Sequence, residues 1–409
     1  MQYLLVFKNT IYQTIARMFT TLSSFIVTIL IATYYGLENF GDFIKIISFV
    51  GLFYMAIDFG MNAIYIKLSQ KEDVFKSLFY LRIVIALLVF ILINITAWIL
   101  PYNSIQDIGF SPIVRAGIFI FSFSIFIQSI IYSASASFQK NLKYNLFLIS
   151  QFFGSLLQLV FVGIAMGIGL SINAVLFAIV ISGGISSLLA IYLTKENIYP
   201  PSITVAKDLI LRSWPLGLML LFNLVYFRTD IIILSFFQNS SEVGTYGLAY
   251  RFFDFFISLP LFLSNAIYPL LVLNLKNKRS FAGIAKKYMF VFILSSAALT
   301  AILWLMAPLI GLIGSSYVQA VTPFRILILS LPVFFLTSFF QWILIAKEEQ
   351  KYLMFVYFLS AVINVMLNLA LIPKYSYLAA AVITGVTEGI VLILLARRVL
   401  SKEILPEQE

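Results

Sequence analysis

The chain has 409 residues, of which 62% are hydrophobic and 11% are charged, and its formal net charge is +10. Soluble domains carry about 25% charged residues, so this composition argues against a protein whose surface faces water. Cysteine and histidine are both absent from the sequence. Their absence excludes disulfides, metal sites that depend on these residues, and histidine-based catalysis or proton relays.

Long segments without any charged residue recur along the whole chain, and they lack the alternation of a transmembrane β-barrel. Because roughly 20 apolar residues form one transmembrane helix, the sequence predicts an all-α membrane protein with about twelve such helices. No cleavage site follows the first apolar run, so we expect a retained helix there rather than a signal peptide. The predicted helices are 9–35, 41–68, 78–100, 112–138, 142–166, 172–194, 207–236, 245–274, 284–313, 319–346, 351–372 and 376–400.

The basic residues indicate how the chain is oriented in the membrane. Most of the 27 Lys and Arg residues fall in one alternating set of loops and helix ends. The positive-inside rule places that set and both termini in the cytoplasm, and we expect a bacterial inner membrane. This placement explains the net charge without nucleic-acid binding. The set includes Lys8, Lys67, Lys71, Lys76, Arg82, Lys140, Lys143, Lys195, Lys207, Arg212, Lys276, Lys278, Arg279, Lys286, Lys287, Lys347, Lys351, Arg397, Arg398 and Lys402.

The two halves of the chain contain weak copies of each other. Asn-Ala-Ile-Tyr at 62–65 recurs at 265–268, which is 203 positions later. Six helices in each half give both halves the same orientation, related by a pseudo-twofold axis along the membrane normal. Parallel repeats of this kind are typical of transporters that work by alternating access. The predicted domains are an N-lobe at 1–195, a cytoplasmic linker at 196–206, a C-lobe at 207–400 and a cytoplasmic tail at 401–409.

Four motifs extend over nearly the whole chain. They are Gly-x-x-x-Phe-Gly at 36–41, Asp-Phe-Gly at 58–60, a long run from Ser213 to Arg251, and Asn-x-x-x-Asn-x-x-Leu-Ile-Pro at 364–373 followed by Glu388. With these motifs the sequence resembles the Wzx-type O-antigen flippases, a polysaccharide-biosynthesis branch of the multidrug/oligosaccharidyl-lipid/polysaccharide exporter superfamily. One departure is Ser376, where such proteins usually have glycine.

The resemblance implies a fold like that of MATE transporters, with two lobes around a central cavity. It also implies a flippase that moves an undecaprenyl-diphosphate-linked oligosaccharide, such as an O-antigen unit for lipopolysaccharide, from the cytoplasmic to the periplasmic leaflet. No cofactor and no enzymatic activity are implied. Membrane lipids and other polysaccharide assembly proteins are the expected partners.

Four basic residues inside the predicted helices are candidates for binding the substrate diphosphate: Arg17, Lys45, Arg228 and Arg251. A charge at mid-bilayer costs at least ~2.5–3.5 kcal/mol, so each is expected to face protein or water. The planar guanidinium of arginine suits phosphate oxygens. The alternative for Arg17 and Lys45 is a side chain that reaches the interface, and for Arg228 and Arg251 a salt bridge between packed helices.

Four acidic residues inside the helices are candidates for ion coupling: Asp58, Asp230, Asp254 and Glu388. The alternative for each is a structural salt bridge or a hydrogen bond to a neighbouring helix. Because Arg251 and Asp254 are three residues apart, they can pair on one helix face. Asp230 can instead neutralise Arg251 from the neighbouring helix.

Gln128, Gln151 and Gln158 are candidates for contacts with sugar hydroxyls, and the last two share one helix face. The alternative is hydrogen bonding between helices.

Three other functions fit the whole chain less well than a flippase. A drug exporter of the same superfamily would need an acidic cavity, and a membrane enzyme would need a D-x-D motif on a large aqueous loop. A non-transporting scaffold would have no use for charges inside the membrane.

Overall fold

The long apolar runs form helices because a membrane-embedded backbone has to satisfy its hydrogen bonds within the segment. The computed structural model describes residues 2–69, 74–197, 201–274 and 278–401, and nearly all of them are helical. This confirms the predicted all-α class. Contacts between the helices divide the chain into two compact units, Met1–Leu221 and Phe222–Glu409.

The first unit contains eight helices and the beginning of a ninth that continues into the second unit. Its first helix is longer than the sequence predicts, because a single residue with a left-handed φ of 75°, Gly36, interrupts it in place of a loop. The elements are α1 (Gln2–Gly51), α2 (Tyr54–Asp58), α3 (Met61–Leu68), α4 (Phe75–Ile99), α5 (Pro112–Ser122), α6 (Ser124–Lys140), α7 (Tyr144–Gly167), α8 (Ile172–Thr194) and α9 (Ile203–Phe237).

The predicted helix 41–68 is broken in the structure, and the second break coincides with the Asp-Phe-Gly motif. Phe59 and Gly60 both have left-handed backbones, with φ of 40° and 71°. A residue with a side chain rarely adopts this conformation, so the surrounding packing must hold Phe59 there. The break turns the chain immediately after Asp58.

The break between α2 and α3 is packed against the Ser-Trp-Pro-Leu-Gly motif of α9. A Cβ atom on Gly217 would lie 2.6 Å from the ring of Phe59, and a Cβ atom on Gly60 would lie 2.8 Å from Leu216. Pro215 interrupts the helical hydrogen bonding of α9 at the same place. Two of the motifs that carry the family resemblance are therefore in contact with each other.

A short β-hairpin connects α4 to α5. Its strands, β1 (Tyr102–Asn103) and β2 (Ile108–Gly109), pair antiparallel. The Tyr102 hydroxyl donates to Asp107 at 3.3 Å. Burial, together with the negative charge of Asp107, raises the pKa of Tyr102.

The second unit contains the end of α9 and five further helices, with two 3₁₀ segments before α12. Its last helix merges two predicted ones and is interrupted at Ser376, where φ is 52°. This left-handed backbone explains why glycine is the usual residue at that position. The elements are α10 (Ser240–Leu273), α11 (Lys278–Met306), the 3₁₀ segments Ala307–Ile313 and Ser315–Ala320, α12 (Val321–Leu329), α13 (Leu331–Ala346) and α14 (Gln350–Leu400).

The described part of the chain has eight helices that are long and apolar enough to cross a membrane, and a ninth if the bent pair Ser315–Leu329 and Leu331–Ala346 counts as one. Two of them, Lys8–Leu68 and Gln350–Leu400, are long enough for two crossings each. With α10 added, this agrees with about twelve transmembrane helices. Lys71, Lys276, Lys402 and all of the predicted tail after Ser401 lie outside the described residues.

The side chains are distributed as expected for a protein in lipid. Large apolar residues face outward, among them Trp98 and Leu305, which are 74% and 79% exposed. Small polar residues face inward, and Ser129, Ser133 and Ser137 form a fully buried stripe along α6. Small residues let membrane helices approach closely.

Both units break their fourth predicted helix near the middle. In the first unit the break is at Phe123, between α5 and α6, and in the second it is at Ser330, between α12 and α13. This similarity is in line with the sequence repeats. The predicted lobe boundaries stay a prediction, and α9 begins at Ile203, inside the predicted linker.

Candidate functional site

A polar cavity of about 340 Å³ lies inside the first unit. We call it the arginine cavity. Arg17 lines it from α1, and within the described residues this side chain forms no salt bridge. The cavity therefore offers a guanidinium that is not neutralised by a direct ion pair. The other lining residues are Gln13, Ala16, Thr20, Asp58, Asn62, Gln128, Ile131, Tyr132, Ser135, Phe147 and Gln151.

Asp58 lines this cavity and forms a salt bridge with Arg82 of α4. The guanidinium of Arg82 donates to Asp58 at 3.1 Å, to the side chain of Asn62 at 2.8 Å and to the carbonyl oxygen of Ile57 at 3.3 Å. It also lies 5.9 Å from the ring centre of Tyr132. Arg82 thus joins the two sides of the break at Phe59 and Gly60, and we call this group the Arg82 clasp.

Arg82 corrects one element of the topology prediction. The sequence analysis counts it among the basic residues at the cytoplasmic ends of helices, but its side chain is fully buried. A buried guanidinium needs a carboxylate and further acceptors, and the Arg82 clasp supplies one carboxylate and two other oxygen acceptors. The residue is therefore part of the interior and does not contribute to the surface charge. The predicted orientation of the chain stays a prediction.

A second cavity, of about 180 Å³, adjoins the arginine cavity and shares Thr20, Gln128, Ile131 and Gln151 with it. All three glutamines that the sequence analysis selects line this second cavity, and we call it the glutamine cleft. Its remaining lining residues are apolar, small or hydroxylated: Tyr54, Phe121, Ser124, Ile127, Gly154, Ser155, Ile179, Val180, Ser182, Gly183 and Ser186.

Close packing of α7 against α1 and α8 directs the two glutamines of α7 inward. The hydroxyl of Ser23 donates to the carbonyl oxygen of Ser155 at 3.1 Å, and that of Ser186 donates to the carbonyl oxygen of Ser150 at 2.9 Å. A Cβ atom on Gly154 would lie 2.5 Å from Ser186. Because the small residues of α7 face its neighbours, Gln151 and Gln158 on the same side of this helix reach the interior.

Lys45 lies apart from these cavities. Its side chain is fully buried, so it does not extend to the interface as the alternative in the sequence analysis supposes. The ammonium donates to the carbonyl oxygen of Gly109 at 3.0 Å and lies 4.0 Å from the carboxylate of Asp42. These contacts attach the second half of α1 to the β-hairpin. The geometry gives Lys45 a structural contact, and its role in substrate binding stays a prediction.

In the second unit, Arg228 pairs with Asp254. The guanidinium on α9 donates to the carboxylate on α10 at 2.8 Å, and it lies 5.6 Å from the ring centre of Tyr250. Both charged side chains remain about one quarter exposed. The sequence analysis instead considers Arg251 as the partner of Asp254. Arg251 is half-buried on α10, one turn before Asp254.

The other two acidic candidates of the second unit accept hydrogen bonds from tyrosines. Asp230 accepts from the hydroxyl of Tyr246 at 2.5 Å and from the backbone N–H of Ile231 at 2.8 Å. Glu388 accepts from the hydroxyl of Tyr226 at 2.6 Å. Both carboxyl groups are nearly completely buried. These interactions support the structural alternative for the two residues without testing their role in ion coupling.

Apart from Lys45, the structure places the sequence candidates in two groups, one within each unit. Arg17, Asp58, Gln128, Gln151 and Gln158 line the two adjoining cavities of the first unit. Among the described residues, no group of three His, Cys, Asp or Glu side chains is arranged to hold a metal ion. The candidates of the second unit are Arg228, Asp230, Arg251, Asp254 and Glu388.

The sequence analysis missed Arg82 and Asn62 as members of the site. Asn62 was visible only as part of a repeated tetrapeptide, and Arg82 is seven residues into α4. The helical periodicity of so apolar a segment does not tell which face is buried, so no pattern separates Arg82 from a basic residue at a helix end. The Asp-Phe-Gly motif was the available signal, because a break next to a carboxylate calls for a nearby cation.

Comparison with protein-family models decides the family. The model described as polysaccharide biosynthesis protein matches residues 6–274, which is more than half of the chain. The chain belongs to the polysaccharide biosynthesis protein family. The MatE family model also matches, over residues 215–370. The resemblance drawn from the sequence motifs is confirmed, and no curated protein sequence gave a significant match.

Solved structures with a similar fold include a lipid II flippase and multidrug transporters. The lipid II flippase MurJ, in an inward closed conformation, has a TM-score of 0.78 and 16% identity, covering 94% of this chain and 87% of MurJ. An inward-facing MATE multidrug resistance transporter of the MOP superfamily has a TM-score of 0.75 and 14% identity, covering 98% of this chain and all of that one. The eukaryotic MATE transporter AtDTX14 has a TM-score of 0.69 and 15% identity, with 96% and 95% covered.

These matches confirm the fold predicted for this member of the polysaccharide biosynthesis protein family. It is a multi-pass membrane protein, and it is a transporter of the MOP superfamily rather than an enzyme. At identities well below 25%, the structural matches establish the fold alone. The substrate and the direction of transport therefore have to be argued from the site.

Proposed function

We propose that the protein is a flippase that moves an undecaprenyl-diphosphate-linked oligosaccharide from the cytoplasmic to the periplasmic leaflet of a bacterial inner membrane by alternating access. The observation that carries the proposal is the composition of the arginine cavity. Its charged lining residues are Arg17 and Asp58, and Asp58 is neutralised by Arg82. The net positive charge that remains suits an anionic diphosphate in a low-dielectric setting.

Arg17 is the residue that we assign to the diphosphate in this cavity. Its guanidinium presents several donors in a plane, a geometry that matches phosphate oxygens. Arg228, Arg251 and Lys45 remain further candidates for contacts along the transport path. O-antigen and related repeat units for lipopolysaccharide are the expected substrates, and the proteins that polymerise or attach such units are the expected partners. Both termini are proposed to face the cytoplasm.

The MatE match favours a second candidate function, export of drugs or other small molecules. Exporters of cationic drugs need uncompensated acidic groups in the cavity. In the arginine cavity the carboxylate is paired and the unpaired charge is positive. The charge distribution therefore favours an anionic substrate over a cationic drug.

A complementation experiment tests the proposed function. The gene is deleted in its host, and surface polysaccharide and lipid-linked precursor are measured with plasmid-borne wild type, Arg17→Gln or Arg212→Gln at equal membrane levels. Arg212 is a matched control because it is exposed and pairs with Asp208 at the surface. We expect precursor to accumulate in the deletion and with Arg17→Gln, and normal polysaccharide with Arg212→Gln. Unchanged polysaccharide in the deletion, with increased drug sensitivity, would support the second candidate instead.

A further inference from the structure

The glutamine cleft contains side-chain amides that the protein does not use. Gln151 is 7% exposed, and its Nε2 atom has no hydrogen-bond partner. Within the described part of the chain, Gln128 and Gln158 also form no hydrogen bond to another residue. Because a buried polar group without a partner destabilises the folded chain, the amide of Gln151 requires a partner that the chain itself does not provide. The amides of Gln128 and Gln158 are half-buried and can also bind a ligand.

Several hydroxyl groups around the cleft already form hydrogen bonds within the protein. Ser182 donates to the carbonyl oxygen of Ile179 at 2.8 Å, and Ser186 donates to that of Ser150 at 2.9 Å. The hydroxyls of Tyr54 and Ser124 lie 2.7 Å apart and bond each other. The side-chain amides of the glutamines therefore provide much of the unused hydrogen-bonding capacity of the cleft. An amide offers donors and an acceptor together, which matches the mixed donors and acceptors of a sugar ring.

The cleft is uncharged, whereas the cavity beside it is not. None of the residues that line the cleft is Asp, Glu, Lys or Arg, but Arg17 lines the adjoining cavity, and the two spaces share Gln128 and Gln151. A carboxylate on a sugar in this cleft would lose its hydration without gaining a cation. The cleft therefore suits a neutral group that forms hydrogen bonds. Because the adjoining cavity contains Arg17, this group would be joined to an anionic one.

We propose that the glutamine cleft is the subsite for the uncharged sugar that is attached directly to the diphosphate of the lipid-linked substrate, with Gln151 and Gln128 as its specificity-determining contacts. This inference rests on the proposed function and deepens it, because it assigns adjacent places to the diphosphate and to the first sugar. It also replaces the alternative in which the glutamines hydrogen-bond neighbouring helices.

Binding to the full-length protein in lipid nanodiscs tests the subsite. The probes are undecaprenyl diphosphate, the same lipid carrying one N-acetylglucosamine, and the same lipid carrying one glucuronic acid. The variants are Gln151→Met and Gln128→Met, which keep the side-chain length. Gln139→Met is the matched control, because Gln139 is exposed at the end of α6 and lies outside the cleft.

We expect the N-acetylglucosamine probe to bind more tightly than the bare lipid diphosphate and than the glucuronic acid probe. Each of the two cleft variants should weaken the binding of the N-acetylglucosamine probe by roughly threefold to tenfold, the usual effect of one neutral hydrogen bond. Binding of the bare lipid diphosphate should weaken less, although both residues also line the arginine cavity. Gln139→Met should change neither. If the cleft variants do not change the affinity for the sugar-bearing probe, the cleft holds only water and the proposal is wrong.

Two further measurements separate the possible failures. Because Gln151→Met removes an unpartnered buried amide, the ligand-free variant should be at least as stable to heat as wild type, so weaker binding cannot result from misfolding. Arg17→Gln should lower the affinity of the protein for the bare lipid diphosphate. If Arg17→Gln leaves that affinity unchanged, the proposed diphosphate site is wrong. If binding depends on Arg17 but the sugar does not change the affinity, only the proposed subsite is wrong.

Discussion

At the scale of single residues, the Arg82 clasp holds together two short helices inside the first unit. One guanidinium satisfies Asp58, Asn62 and a backbone carbonyl on the two sides of a helix break. Removing one partner of a buried ion pair leaves an uncompensated charge, which is more costly than removing both. The clasp therefore predicts a non-additive response to mutation.

We expect Arg82→Met to destabilise the protein by about 3 kcal/mol, because the carboxylate of Asp58 then lacks its cation. Asp58 is partly exposed to the cavity, so this value lies at the low end of the usual range for buried pairs. The double variant Arg82→Met with Asp58→Asn should be more stable than Arg82→Met alone. Thermal unfolding of the purified proteins in detergent measures both differences. Additive effects of the two substitutions would show that the pair is not coupled.

At the scale of elements, the contact between the break at Phe59 and the glycine of α9 connects two sequence motifs. The sequence of either motif alone does not show why its residues are needed. Phe59 is held in a left-handed conformation, and its ring covers Gly217 so closely that no side chain fits between them. The Asp-Phe-Gly and Ser-Trp-Pro-Leu-Gly motifs therefore constrain each other through packing.

A pair of glycine substitutions tests this contact. In Gly217→Ala the new Cβ atom lies 2.6 Å from the Phe59 ring, whereas in Gly163→Ala on α7 no heavy atom lies within 4 Å. Both variants gain the helix propensity of alanine, so the difference between them isolates the packing. We expect Gly217→Ala to be less stable than Gly163→Ala by about 1–3 kcal/mol in thermal unfolding. Equal stabilities would mean that Phe59 moves away freely.

The elements also show where sequence reasoning reaches its limit. Apolar length was enough to predict the helices, because a transmembrane helix depends on local composition. The superfamily came from the resemblance that the four motifs carry. The break at Phe59 was not predicted, and at Ser376 the sequence predicted a boundary between two helices but not the left-handed backbone. Both features depend on packing against residues far along the chain. Ser376 contacts Glu242 of α10, for example, which helps to hold its left-handed backbone.

The candidate site could likewise be predicted only in part from the sequence. Arg17, Asp58 and the three glutamines could be selected from the sequence because polar side chains inside apolar helices are rare. Which of them meet could not be read from helical periodicity, because every face of these helices is apolar enough to face either lipid or protein. The partner of Asp58, Arg82, was hidden among the basic residues that indicate topology.

At the scale of the whole molecule, the proposed orientation places the β-hairpin on the periplasmic side and the turn between α6 and α7 in the cytoplasm. The natural absence of cysteine allows a direct test, because a single introduced cysteine is the one thiol in the chain. Ile105 in the hairpin is 94% exposed, and Lys140 at the end of α6 is also exposed.

We expect a membrane-impermeant thiol reagent to label Ile105→Cys in cells with a permeabilised outer membrane and an intact inner membrane. Lys140→Cys should be labelled only after the inner membrane is opened, with labelling of both in detergent as the control. The reverse pattern would invert the topology and with it the proposed direction of transport.

The central claim is that a net positive cavity, in which Arg17 binds the diphosphate, allows a lipid-linked sugar to cross the membrane. Its most direct test is the transfer rate of fluorescent undecaprenyl diphosphate-N-acetylglucosamine between leaflets of proteoliposomes, compared for wild type, Arg17→Gln and Arg212→Gln. Loss of a charge-assisted contact predicts a rate at least roughly tenfold lower for Arg17→Gln, with Arg212→Gln equal to wild type. Transfer at the wild-type rate by Arg17→Gln, or none by wild type under any imposed ion gradient, would contradict the account.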